Sequence, residues 1–447
     1  MNINLRKGLD IKLAGEAKDS DVVKDVEPHV YAVIPEDYPG FSARVDVREG
    51  DELKVGSMIL HDKKYPEICL VAPVSGRVKS VVRGERRKVL RVEIESDGKM
   101  TQLWEGELSP INQVSTLSLL CRSGLFARIR RRPYDVIPRP DTRPRDIFVT
   151  AFDTAPLATS LVGRLGKDAA KYIGLAVEKL APLTDGKIYI STGPDWNLGD
   201  IRGAEMTRVS GPHPAGNVGI QIANIAPINK GEEVWGLDIV TLYKIGRLLG
   251  DAVFDTSATV ALTGPEVEKP CIILTTEGAS VAPLIAGRLK KTDNHKRIIS
   301  GNALTGTVVD AADGFIHFPW RQLTVIAEGD DVDEFMGWAS MSPSKLSVSR
   351  TFPLSRLRNC FRPDARLCGG RRAMIMSGEY DKVMPADIMV EYLLKAIISR
   401  NIEDMEALGI YEVAPEDVAL CEFVDTSKLP IQRIVRDGLD YLRKETE

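Results

Sequence analysis

The chain has 447 residues, more than one hydrophobic core usually organises, so about two to four domains are expected. Its 43% hydrophobic and 27% charged residues are ordinary for a soluble globular protein, and a formal net charge of -4 gives no support for nucleic-acid binding by the whole chain. The charged N-terminus lacks an apolar h-region, which argues against secretion, and no apolar run approaches the ~18 residues of a membrane span, so any membrane contact is expected to be peripheral.

Residues 1–100 are assigned to an N-terminal segment and a small sandwich. From Val45 to Val78 come an alternating strand, a turn at Glu49-Gly50-Asp51, a second turn at Gly56, a hairpin, and Ala72-Pro73-x-x-Gly76-x-Val78. Gly50 and Gly76 suit turn conformations closed to residues with a Cβ, and Pro73 suits the start of a strand. That order resembles the half-repeat of a biotinyl/lipoyl-like barrel-sandwich. Carriers of that type place the modified lysine seven residues before the Ala-Pro alanine, where this chain has Tyr65, with Lys63 and Lys64 just before it. A structural sandwich is therefore expected, with an acyl or biotin carrier as an alternative motivated only by Lys63 and Lys64.

Residues 101–145 are read as a connector. A polar stretch from Ser96 to Ser109 leads to an apolar one at Val114 to Ala127, then to a basic belt in which arginines from Arg128 to Arg145 alternate with Pro133, Pro138, Pro140 and Pro144. Prolines at this density exclude a regular helix or central strand. Two readings stand side by side. The belt is a solvated linker or pairs with acids inside the fold; or Arg128, Arg130, Arg131, Arg139 and Arg143 dock another subunit, acidic lipid head groups or an anionic ligand.

Residues 146–255 begin with a buried strand at Ile147–Ala151, continue with a mostly helical stretch from Leu157 to Leu180 and return in a strand at Lys187–Ser191. This β-α-β pattern predicts a Rossmann-like α/β domain. The first strand leads into Phe152-Asp153-Thr154-Ala155-Pro156 without a dinucleotide fingerprint, and Gly163-x-x-Gly166-Lys167 falls within the predicted helix, so no NAD site is expected. Ser210–Gly216, reading SGPHPAG, predicts a rigid loop; Asp238–Leu249 has helical periodicity. Over 256–330, short strand segments at Val260–Pro265, Pro270–Leu274, Arg297–Gly301 and Gln322–Ile326 around one helix, in the stretch from Ala282 to Leu289, suggest a β-grasp, SLBB-like module. Residues 331–447 are predicted mostly helical. Ile388, Met389, Leu393, Leu394, Ile397 and Ile398 in one stretch and Ile431, Ile434, Val435, Leu439 and Leu442 in another recur at helical spacing, as in a bundle face, with an amphipathic membrane helix as the alternative.

The six cysteines, Cys69, Cys121, Cys271, Cys360, Cys368 and Cys421, form no C-x-x-C pair, so neither a zinc nor an iron–sulfur site is expected. His213 and His317 sit among glycines and prolines, where packing or loop roles are expected. No catalytic and no metal-binding residue emerges.

Together these pieces resemble the A-subunit family of the bacterial Na⁺-translocating NADH:quinone oxidoreductases over nearly the whole chain. The matching stretches include Lys7-Gly8-Leu9-Asp10, Arg48-Glu49-Gly50-Asp51, Ala72-Pro73 with Gly76, Arg132-Pro133-Tyr134, Phe148-Val149-Thr150-Ala151, Gly211–Gly216, Leu304-Thr305-Gly306, Gly337-Trp338 and Val383-Met384-Pro385. The resemblance implies a peripheral subunit on the cytoplasmic face of the bacterial inner membrane, joined to five others, some membrane-embedded, in a pump coupling NADH oxidation and quinone reduction to sodium export. It further implies that NADH, flavins, iron–sulfur centres and Na⁺ are handled by those partners, while this chain has no tightly bound redox group and is not catalytic alone. The domain order is more distantly similar to the NADH-oxidising flavoprotein subunit of complex I and to the C subunit of the Rnf complex. Those relatives carry cluster cysteines, and Cys421-Glu422-Phe423-Val424-Asp425 cannot supply four thiolates. In the family, quinone binding is associated with segments matching Val33–Phe41 and Arg131–Asp135, which implies Tyr38, Gly40, Phe41, Arg132, Pro133 and Tyr134 as candidates. A quinone ring needs an apolar slot and carbonyl donors; the same residues also suit an ordinary turn and interface. A stand-alone soluble flavin- or NAD-binding oxidoreductase remains the alternative.

Overall fold

A computed structural model describes residues 1–24, 26–103, 114–330, 341–346, 348, 352, 354, 357–367 and 369–447. Gly337-Trp338, Cys368 and the connector from 104 to 113 lie outside the described residues.

The sandwich is present. Val30–Val33, Val89–Ser96, Gly76–Arg83 and Glu52–Leu53 form one antiparallel sheet, and Ala43–Val45, Met58–Asp62 and Cys69–Val71 the other. Inward positions of both sheets supply a core that includes the fully buried Ile59, Leu60, Val74, Val92 and Ile94. Gly76, at φ +152°, allows the close crossing of two strands: a Cβ there would lie 1.9 Å from the Glu95 carbonyl oxygen.

The α/β domain is built on a six-stranded sheet ordered Asn2–Asn4, Glu205–Ser210, Ile188–Thr192, Ile147–Thr150, Val234–Asp238 and Arg130–Arg132. The first five strands run parallel, and Arg130–Arg132 adds an antiparallel edge on Val234–Gly236. An edge is where a proline-flanked strand fits, since only one side needs a ladder. Helices Ala169–Leu180 and Ile239–Asp251 pack so closely that a Cβ on Gly246 would lie 1.9 Å from the Tyr172 carbonyl oxygen. Asp238 caps the second helix, accepting from the Thr241 N–H at 2.8 Å.

The predicted helix from Leu157 shortens to Ala169–Leu180, and Gly163 and Gly166 lie in the turns before it rather than inside it. Pro156 and two glycines in ten residues weaken helix formation there.

The β-grasp module has a sheet ordered Thr307–Val309, Lys296–Ser300, Gln322–Ala327, Ser257–Thr263, Cys271–Thr276 and Val22–Val23. Its helix covers only Val281–Ile285; Gly287, at φ +67°, follows its end. The N-terminal segment, grouped with the sandwich on sequence grounds, instead adds Asn2–Asn4 to the α/β sheet and Val22–Val23 to the β-grasp sheet. Strands of two or three residues carry no alternation signal to reveal this.

In the C-terminal part, helices Val390–Ser399 and Ile431–Thr446 pack on each other, with Gly438 seated on Ile397. Ile431, Val435, Leu439 and Leu442 are fully buried, as a bundle face requires, whereas Ile388 and Ile434 are half-buried and Met389 and Ile398 point to solvent, off that face.

Candidate functional site

The arginine belt turns inward. Arg128 is 8% exposed and makes a two-pronged ion pair with Glu277, Nη1 donating to Oε1 at 2.7 Å. Arg130 donates to the backbone carbonyls of Ala127 and Asp37. Arg131 pairs with Glu447 at 2.6 Å and Glu233 at 3.4 Å, and Arg132, 2% exposed, with Glu416 at 2.9 Å and Asp417 at 3.2 Å. Burying a guanidinium is tolerable only with such partners. The ion-pair and carbonyl partners of Arg128, Arg130 and Arg131 thus lie inside the fold, which is the pairing reading of the belt, although Nε of Arg128 and of Arg131 makes no hydrogen bond among the described residues. Arg139 is only loosely paired, 3.9 Å from Glu447, and Arg143 stays exposed beside Asp185.

Arg128 marks a cleft where the sandwich, the α/β domain and the β-grasp module meet. It holds about 120 Å³ of internal space, close to the ~150 Å³ apolar cavity that accepts a benzene ring. Tyr38 from the sandwich stacks on Phe318 from the β-grasp module, with centroids 5.2 Å apart and planes 5° apart, and the Arg128 guanidinium lies 5.2 Å from the Phe318 ring. Glu277 also accepts from Lys244 Nζ at 2.6 Å, and Lys244 donates to the Ser257 carbonyl. Burial alone would raise the Glu277 carboxyl; Arg128 and Lys244 outweigh it and hold the group at about 2. Burial lowers the Lys244 ammonium, and Arg128 adds to that against the opposing pull of Glu277. One carboxylate thus serves two buried cations. His317 Nδ1 lies 2.6 Å from Asp37 Oδ1, tying the same two domains together, and His213 is a buried loop residue beside Thr154.

The cleft opens near the carboxyl ends of the α/β strands, where the sheet order reverses on either side of Ile147–Thr150, the usual ligand crevice of such a fold. The crevice itself is filled. Phe152, 5% exposed, packs against Gly193, where a Cβ would come within 2.7 Å of the ring. Gly216 lies equally close to the backbone of Asp153 and Thr154, and Thr150 Oγ1 donates to its carbonyl at 2.9 Å. The Gly211–Gly216 loop therefore packs directly on the turn that follows Ile147–Thr150.

The six quinone candidates are not gathered together. Tyr38 lines the cleft and also a separate surface groove, which it shares with Gly40 and Phe41. Arg132, Pro133 and Tyr134 line neither; Tyr134 instead meets Thr446 of the last helix at 2.9 Å and lies 5.1 Å beneath Arg131. Sequence reading missed Lys244, Glu277 and Phe318, whose roles arise only when three domains converge.

Family models match in three stretches: the NqrA N-terminal barrel-sandwich hybrid domain over residues 3–97, the NqrA second alpha/beta domain over 112–253 and the NQRA C-terminal domain over 259–311. Curated relatives named as the A subunit of Na(+)-translocating NADH-quinone reductase include those of Serratia proteamaculans, 37% identical, Yersinia pestis, 35%, and Neisseria meningitidis, 34%. Each alignment covers 99% of this chain and 100% of the relative. Among solved structures, an NAD+-reducing [NiFe]-hydrogenase in the H2-reduced state covers 68% of this chain and 55% of its own at 10% identity, with a TM-score of 0.35 too low to carry an argument. On full-length identity and three matching domains, the chain belongs to the A-subunit family of the Na(+)-translocating NADH-quinone reductases.

Proposed function

We propose that the chain is the peripheral A subunit of a Na⁺-translocating NADH-quinone reductase, a scaffold without a tightly bound redox group that joins five other subunits at the cytoplasmic face of the bacterial inner membrane. The observation that carries this is the end-to-end match to relatives of that name. No helix among the described residues is long and apolar enough to cross a membrane, which fits a subunit held by partners. The filled crevice at Phe152 supports a non-catalytic role, leaving NADH, flavin, iron–sulfur and Na⁺ chemistry to the partner chains. For quinone, Tyr38 is the strongest of the six candidates, because it alone borders a ring-sized cleft with a cation and an aromatic neighbour.

Affinity purification of the tagged chain from detergent-solubilised membranes of its host tests this reading. Co-elution with polytopic subunits and a flavin–iron–sulfur NADH dehydrogenase is expected. Recovery alone in the soluble fraction, together with a thermal shift on adding flavin mononucleotide or NADH, would replace it with a stand-alone oxidoreductase. An intact mass without modification on Lys63 or Lys64 would remove the carrier alternative. A photoreactive quinone is expected to label the segment around Tyr38; label confined to residues 131–135 would move the quinone to the C-terminal interface.

A further inference from the structure

A second cavity, about 590 Å³, lies on the outer surface of the sandwich. Its lining carries six cations, Arg44, Lys63, Arg83, Arg86, Arg87 and Lys88, against one carboxylate, Glu36, on a chain whose net charge is -4. All six are exposed. Glu36 is engaged by Lys88 at 3.3 Å, and Arg83 donates to the Arg87 carbonyl. Arg44, Lys63, Arg86 and Arg87 have no acidic partner among the described residues. Tyr38 and Phe41 supply an aromatic wall.

The backbone gives an independent sign of function. Arg86, at φ 53° and ψ 27°, and Arg87, at φ 60°, are the central residues of the turn joining Gly76–Arg83 to Val89–Ser96, closed by the Lys88 N–H donating to the Glu85 carbonyl. Two positive φ angles mark a type I′ turn, which favours Asn-Gly. Arginine is strained in this left-handed conformation. Here two arginines accept that strain, and among the described residues neither side chain makes a hydrogen bond or ion pair that would compensate it. They stand at a hairpin tip beside a groove whose one carboxylate, Glu36, is already engaged by Lys88.

We infer that this groove binds the anionic head groups of phospholipids and lays the sandwich against a negatively charged membrane surface. Flexible cations beside aromatic residues suit a fluid anionic interface, to which each Lys or Arg adds attraction that falls off within a Debye length. The proposal does not rest on the chain's place in the reductase.

Flotation of the full-length chain with vesicles tests it, using phosphatidylcholine alone or with about one third phosphatidylglycerol. The chain is expected to float with the anionic vesicles, not the neutral ones, and to detach as salt is raised. R86N/R87G supplies the preferred turn residues and removes two cations, so it is expected to lower partitioning about thirtyfold without lowering the melting temperature. Equal binding to neutral vesicles, or anionic binding unchanged in the double variant, would overturn the proposal. If anionic vesicles are ignored while R86N/R87G loses co-purification with membrane subunits, the groove takes an acidic protein surface, and the lipid assignment fails.

Discussion

Two arginine-rich stretches of this chain meet opposite fates. From Arg128 to Arg132 four guanidinium groups turn inward, to Glu277, Glu233, Glu447, Glu416, Asp417 and backbone carbonyls. From Arg83 to Lys88 the charges remain outside, around a groove with one acid. The first stretch is the denser in arginine, yet it is interior architecture. Arginine density therefore says little about docking; what matters is whether an acid lies within reach and whether the side chain has left water.

The largest test of that contrast is Glu277→Gln. It leaves Arg128 and Lys244, both nearly buried, without a counter-ion, and breaking a buried pair from one side costs about 3–5 kcal/mol. The urea midpoint of the first unfolding transition is expected to fall accordingly. A loss below about 1 kcal/mol would mean that the belt behaves like a surface pair and would dissolve the distinction. Arg132→Met is expected to cost somewhat less, about 3 kcal/mol, because Asp417 keeps bonds from Asn217 and the Ala414 N–H.

Acid sharpens the same comparison. The Glu277 carboxyl lies at about 2 in the folded chain against 4.5 ordinarily, so the folded state binds fewer protons and stability rises with pH through that interval. The contribution, about 3 kcal/mol, is complete above the unfolded value and is lost as pH falls from about 4.5 to about 2. Stability measured across this window should decline more steeply in the parent chain than in Glu277→Gln. Parallel curves would show that the two cations do not hold the carboxylate ionised.

How far the sequence could reveal these things depends on the range of the interactions. The sandwich was legible because Gly50, Gly76 and Pro73 are dictated by local turns and strand starts, and the helix at Ile239–Asp251 because Asp238 caps it three residues from its partner. The belt's residue types were equally visible, but Arg132 meets an acid 285 positions away and Arg128 one 149 positions away. Neither spacing nor periodicity encodes such pairs. The quinone candidates divided for the same reason: Tyr38 faces a junction made by Phe318, whereas Tyr134 faces the last helix. The turn at Arg86 and Arg87 was hidden because nothing in Gly-Glu-Arg-Arg-Lys resembles the Asn-Gly that such a turn prefers.

The smallest effects fall on the exposed side of the comparison, and their signs are the informative part. R86N/R87G should stabilise the sandwich by about 1 kcal/mol, since it relieves two left-handed arginines and removes no internal ion pair. Arg143→Gln should change stability by less than about 0.5 kcal/mol, because Arg143 is 57% exposed and its partner Asp185 is 68% exposed. Thermal melts of the three proteins would therefore rank the double variant above the parent and the Arg143 variant beside it. A double variant less stable than the parent would give the turn arginines a structural role, placing them with the belt rather than opposite it.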